Sequence, residues 1–213
     1  MKIALYLALI FPLLMSSQNI TVGDTLSPSV SYHNLKDTVI PSIGTRVCDL
    51  DLDADNVKDV RFRIVQTSSP GHVFVNQSVQ TLNGFEFAAI TNSLSLLDTM
   101  PVNGIIDRSL HWHTTTDSVV LFNHFYTAGN TTFFGLFLRN NAYIGFRKIA
   151  ANDTLYGWIL VDAGLSSGLK IRSWAYENST AAGIFESTIQ KKLSVYPNPS
   201  SGILYIQNPN NTT

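Results

Sequence analysis

Val60-Arg-Phe-Arg-Ile-Val65 sets Val60, Phe62 and Ile64 at alternate positions with two arginines between them. Successive side chains of a strand point to opposite faces, so this hexapeptide buries one face and wets the other. The same alternation returns at 72–75, 85–90, 110–113, 119–126, 133–138, 143–147, 156–161 and 169–176. Between these runs stand turn formers: Ser69-Pro70-Gly71, Asn83-Gly84, Asn103-Gly104, Ala128-Gly129-Asn130, Asn140-Asn141 and Ser166-Ser167-Gly168. Short β-branched and aromatic strands punctuated in this way predict an all-β, antiparallel sandwich of jelly-roll type. No long stretch holds a helical period, and residues 93–98 offer at most one short helical turn.

Two of the runs carry glycine beside bulky aromatics: Tyr143-Ile-Gly-Phe-Arg147 and Tyr156-Gly-Trp158. They read as two strands joined by a loop over 148–155. Glycine inside a strand marks a bulge or the close approach of another group. The aromatics are expected to form the centre of the sandwich, with a sugar-stacking platform as the other reading. Together with Ser173-Trp-Ala-Tyr-Glu177, these strands loosely resemble β-sandwich ectodomains of secreted bacterial proteins that carry sorting tails.

The chain has 213 residues, of which 45% are apolar and 11% aromatic, enough for a sizeable core. Charged residues reach only 14%, against roughly 25% in ordinary domains. The net charge is −1, and no basic stripe suggests nucleic acid. Polarity comes from Ser, Thr and Asn. Residues 3–15 form an apolar run after Lys2 and lead into Ser16-Ser17. That is the layout of a signal peptide over 1–17, too short to span a membrane, and the mature chain is expected to have no span. Cys48 is the only cysteine, so no disulfide can form within the chain. It reads as a small apolar residue.

Asp51-Leu-Asp-Ala-Asp-Asn-Val-Lys-Asp59, with Asp49 just before it, concentrates acid in a chain otherwise poor in charge. Calcium takes six to eight oxygens, and carboxylates at alternate loop positions can be aimed at one ion. Asp49, Asp51, Asp53, Asp55 and Asp59 are the candidate ligands. Asn56 stands where such loops need a left-handed residue, which asparagine tolerates. Arg63 falls where an EF-hand has its glutamate, so the loop is similar instead to the DxDxDGxxD loops of extracellular repeat proteins. The other reading is a solvated acidic turn. His111 and His113 share one strand face and form a weaker candidate metal pair, with His124 a strand away. No nucleophile elbow, zinc-protease motif or phosphate loop is present. Glu86 and Glu177 could be imagined as a glycosidase pair, as could any two acids.

Leu193-Ser-Val-Tyr-Pro-Asn-Pro-Ser-Ser-Gly202 closes one strand at Tyr196 and turns toward another at 203–207. Pro197 and Pro199 forbid strand continuation, and Gly202 permits the return. This stretch resembles the opening of the type A C-terminal sorting domain of the type IX secretion system, with Tyr196, Pro197, Asn198, Pro199 and Gly202 as the matching residues. The resemblance implies export to the outer surface or medium by that machinery. It also implies that 193–213 holds only the start of such a domain. Asp-Ser/Thr-apolar triplets at Asp24, Asp37, Asp98, Asp117 and Asp153 look like the O-glycosylation sequence of Bacteroidetes-type bacteria.

The organisation expected is therefore a signal peptide (1–17), a β-sandwich (18–182), a linker (183–192) and an incomplete sorting domain (193–213). The function expected is non-catalytic binding or adhesion at the cell surface, with a glycan as one candidate ligand and calcium as stabiliser. A hydrolase of surface polymers and a structural coat protein are the alternatives.

Overall fold

The computed structural model describes residues 18–89, 97–114, 118–135, 137, 141–150, 153–164, 168–177, 194–196 and 205–207. The signal peptide, the linker and Pro197, Asn198, Pro199 and Gly202 of the sorting motif lie outside them. So do most of the helical turn expected over 93–98 and Asp117. The chain divides into two compact units, Met1–Thr180 and Ala181–Thr213.

The first unit is all-β, an antiparallel sandwich as the alternation predicts. Its strands are β1 (Ile20–Thr21), β2 (Val30–Ile40), β3 (Thr45–Leu50), β4 (Val60–Ser69), β5 (His72–Thr81), β6 (Phe85–Ala88), β7 (Ile105–Ile106), β8 (Trp112–His113), β9 (Val119–Thr127), β10 (Asn130–Phe134), β11 (Ala142–Ala150), β12 (Asp153–Gly164) and β13 (Gly168–Glu177). One sheet has five strands in the order β10-β9-β5-β4-β3, and the other has six in the order β2-β13-β12-β11-β6-β8. Phe62, Ile64, Val79 and Leu121 of the first meet Phe87, Ile144, Phe146, Ile159 and Ile171 of the second in one buried core. A second, smaller core lies on the other face of the six-stranded sheet. There Tyr156, Trp158 and Ala175 pack against Ile20 and Val22 and against Ile106 of the paired β1 and β7.

The aromatic strands are core, with Trp158 and Phe146 fully buried. They also run further than their alternation suggests. The loop expected over 148–155 shrinks, because β11 and β12 stay paired out to Ala150 and Asp153. Gly157 is where another chain atom comes close, since a Cβ there would lie 2.1 Å from Phe146 Cζ and 2.5 Å from the Ala175 carbonyl oxygen. Gly145 on β11 is tight but less crowded: a Cβ there would meet the Ala88 Cβ at 3.2 Å and Met100 Cγ at 3.3 Å, side-chain atoms that need give only a few tenths of an ångström.

The run expected over 133–138 is displaced. Ala128 and Gly129 both adopt positive φ and make a two-residue turn, so β10 begins at Asn130, opposite Thr127. It ends before Gly135, where a Cβ would sit 2.3 Å from the Leu121 carbonyl oxygen. The second unit contributes a short antiparallel pair, β14 (Ser194–Tyr196) with β15 (Tyr205–Gln207). Tyr196 ends its strand, as the two prolines after it require.

Gly157→Ala is expected to destabilise the fold by at least about 2 kcal/mol through overpacking. Gly145→Ala should cost less than about 1 kcal/mol. Urea midpoints of the two variants measure the difference, and equal midpoints would refute the crowding at Gly157.

Candidate metal centre and binding face

The acidic loop joins β3 to β4 and is held from several sides. Leu52, fully buried, drives it into the main core. The indole Nε1–H of Trp174, on β13, donates to the Leu52 carbonyl at 3.2 Å. Asn83 Nδ2 donates to the Lys58 carbonyl at 2.6 Å. Ala54 and Asn56 take φ of 63° and 68°, so Asn56 supplies the left-handed turn expected of it.

Within this frame Asp51, Asp53 and Asp59 converge, with one carboxylate oxygen from each within 4.8 Å of the others. Each keeps one oxygen occupied. Asp51 Oδ2 accepts from the Asn56 N–H at 2.9 Å, and Asp59 Oδ2 accepts from the Leu52 N–H at 2.7 Å. Asp53 Oδ2 accepts from Lys148 Nζ at 2.5 Å. The other oxygen, Oδ1 in all three, is buried without a hydrogen-bond partner. Asp59 itself is wholly buried. Two carboxylates about 5 Å apart repel by roughly 3 kcal/mol at an effective dielectric near 20. Calcium–oxygen distances of about 2.3–2.6 Å put opposite ligands roughly 5 Å apart, so one ion could touch all three without a change of fold.

The remaining candidates stand apart. Asp49 lies on the outward parity of β3 and forms a two-pronged ion pair with Arg61, both bonds 2.8 Å. That hydrogen bond and the Arg61 charge hold its carboxyl below the usual range. Asp55 is exposed, accepts from the Val57 N–H at 2.8 Å, and sits 3.4 Å from Lys148 Nζ. Its carboxyl is lowered, first by the Val57 bond.

Lys148 was not legible as part of this site. Its signal was the alternation Ile144, Phe146, Lys148, which aims a charged side chain along the core-facing parity of β11. Its ammonium also lies 5.1 Å from the Phe85 ring centre. Burial opposes its charge, but the Asp53 hydrogen bond and the fields of Asp53, Asp59 and Asp55 outweigh it and raise its pKa. Desolvation pushes the Asp59 carboxyl up to about 6, with Asp53 and Asp55 adding to the rise and the Leu52 N–H and Lys148 opposing it.

The Asp51, Asp53 and Asp59 group is the only set of three potential ligands among the described residues, and it includes no histidine. His113 faces Phe87 across β8 and β6, His111 is exposed, and His124 stacks on Phe133 in the other sheet. Glu86 is engaged by Arg147 Nε at 2.5 Å and by the Thr114 hydroxyl at 3.0 Å. Glu177 lies three strands away in the sheet order, roughly 14 Å between backbones. Cys48 is half-buried against the main core, and burial raises its thiol pKa.

A second feature occupies the outer face of the five-stranded sheet. Phe74 and Phe125 are cross-strand partners with ring centres 4.7 Å apart. Phe134 joins them on the same face, opposite Asn123, and is 51% exposed, with Phe125 at 45%. Asn76 donates to Asn123 at 2.6 Å beside them. A shallow cavity of about 310 Å³ is lined by Thr67, Ser69, His72, Phe74, Phe125 and Thr127, among others. Comparison with known protein families, with curated proteins and with solved structures returns no match.

Without metal, Asp59 holds its proton to about pH 6 in the fold but loses it near 4 when unfolded. The fold therefore binds the extra proton, and its stability falls as pH rises from about 4 to 6. Asp59→Asn removes that loss and offers an amide N–H to the orphan oxygens. In chelator at pH 8 this variant should exceed the parent by up to about 3 kcal/mol, with the advantage fading below pH 4. Denaturant melts across pH read the difference, and a variant less stable than the parent at pH 8 refutes the strain.

Proposed function

We propose that the chain is a secreted, non-catalytic β-sandwich module that binds neutral glycan at the cell surface, with calcium on Asp51, Asp53 and Asp59 as its structural staple. The observation that carries the binding reading is the exposed face of Phe74, Phe125 and Phe134. Its flanking groups are mainly amides and hydroxyls, with the imidazole of His72 among them. Aromatic faces give apolar contact area to flat ligands, and neutral hydrogen-bonding groups suit a ligand without charge. The cavity volume falls at the small end of the roughly 300–1,000 Å³ typical of ligand clefts, which suits one or two sugar rings on an open face.

The calcium reading is supported by the three orphan oxygens. The export reading is supported by the 3–15 leader pattern and the 193–202 motif, with the type IX machinery as the proposed partner and the outer surface or medium as destination. Among the described residues no helix is long and apolar enough to cross a membrane.

The two sites lie at opposite ends of β4. From Val60, beside the acidic loop, to Thr67, opposite Phe74, is seven residues, roughly 24 Å of strand. Calcium therefore supports the fold and does not touch the glycan. Phe125→Ala with Phe134→Ala should abolish retention on a glycan array and leave the calcium-induced rise in Tm intact. Asp51→Ala with Asp53→Ala should abolish that rise and leave glycan affinity at 10 °C within about threefold, less than 1 kcal/mol. An array that stays blank for the parent protein in millimolar calcium rejects the glycan reading.

A further inference from the structure

The acidic loop already contains a cation. Lys148 Nζ lies 2.5 Å from Asp53 Oδ2 and 3.4 Å from Asp55 Oδ2, and it reaches them from β11 of the opposite sheet. It bonds one oxygen of Asp53, whose other oxygen is buried without a partner, as is one oxygen each of Asp51 and the wholly buried Asp59, and one carboxylate oxygen from each of the three lies within 4.8 Å of the others. A divalent ion on those orphan oxygens would stand one carboxylate's width from the ammonium. Two like charges that close, in a partly buried site where water screens them poorly, repel strongly.

We infer that Lys148 is a resident counter-ion that calcium must displace, so that metal binding is an exchange. Before calcium enters, the ammonium holds the loop to β11 and offsets part of its acid charge. When calcium enters, it draws Asp53 to itself, and the ammonium swings out toward solvent and Asp55. No covalent bond changes. The exchange sets the affinity of the site, keeps it from filling at low calcium, and leaves it open to the millimolar calcium of extracellular fluids, where modules of modest affinity operate. This inference rests on the calcium reading above.

The test uses the full chain, with calcium chloride as the titrant. Calorimetry should show the parent binding weakly and Lys148→Met binding at least about tenfold more tightly. The Lys148 amine of the parent is followed in parallel by reductive methylation and mass spectrometry. Its labelling should rise several-fold when calcium is added, a change that removal of a distant charge would not produce. If the parent binds calcium, the inference is overturned by equal or weaker binding in Lys148→Met, or by labelling of Lys148 that calcium leaves unchanged. If neither protein binds calcium, the calcium reading itself falls and takes this inference with it. The labelling arm needs no variant, so poor folding of Lys148→Met does not spare the proposal.

Discussion

Asp59 is a carboxylate buried completely at the junction of the two sheets, and the local structure is arranged around that fact. An ionised group without compensation is strongly disfavoured in such a place. The loop before it supplies the Leu52 N–H to one oxygen. The backbone of Asp59 is fixed as well, by its own N–H to Leu50 and by the Leu82 N–H to its carbonyl. The backbone is therefore pinned where the carboxylate starts inward, and the Leu52 N–H holds one of its oxygens there. Asp51 and Asp53 are presented to it by a loop that two left-handed residues bend tightly. Trp174 and Lys148 then tie the loop to the opposite sheet. In a chain of only 14% charged residues the acids gathered at this point are met by the Lys148 ammonium.

The fold class was legible because period-two alternation is a direct imprint of a half-buried sheet. Val60, Phe62 and Ile64 point inward in β4 as that pattern requires. β2 and β3, of eleven and six residues, were missed because neither gives a clean alternation. β2 carries Lys36 and Asp37 at left-handed φ beside an irregularity in its pairing with β13, which breaks the alternation. β3 is an edge strand, exposed over its first half, so Thr45, Arg46 and Val47 give no contrast between faces. The displacement of β10 has another cause. Leucine and phenylalanine at 136–138 extend the apolar run past Gly135, and only the contact between that glycine and the Leu121 carbonyl shows why the strand stops.

In the site, spacing revealed the loop but not which acids converge. Asp49 shares the sequence rhythm of Asp51, yet strand parity turns it to the outer face, where Arg61 is its cross-strand partner. Asp55 sits at the exposed tip of the loop. Lys148 and Trp174 are remote in sequence, 95 and 122 residues from the loop groups they bond. Contacts of that separation belong to the topology, in which β11 and β13 cross under the β3–β4 connection. The aromatic face was hidden for a related reason. Phe74, Phe125 and Phe134 read as ordinary strand aromatics until register places all three on the outward side.

The separation of the two features along β4 also bears on how such a module would behave. Where a metal and a ligand share a site, they respond to the same conditions and cannot be tuned apart. Here the acidic loop closes one end of the sandwich, and the exposed phenylalanines lie toward the other end of the β4–β5 hairpin. Near that end Ser69, His72 and Asn130 are all exposed. Binding surface presented on exposed sheet costs apolar exposure and favours local opening. Under the proposed reading, a calcium staple between the sheets at the far end would offset that tendency through the shared core of Phe62, Ile64 and Val79, without adding charge to the ligand face. On that reading, a neutral ligand and a charged staple would coexist in one small domain because the β4–β5 hairpin keeps the two features apart.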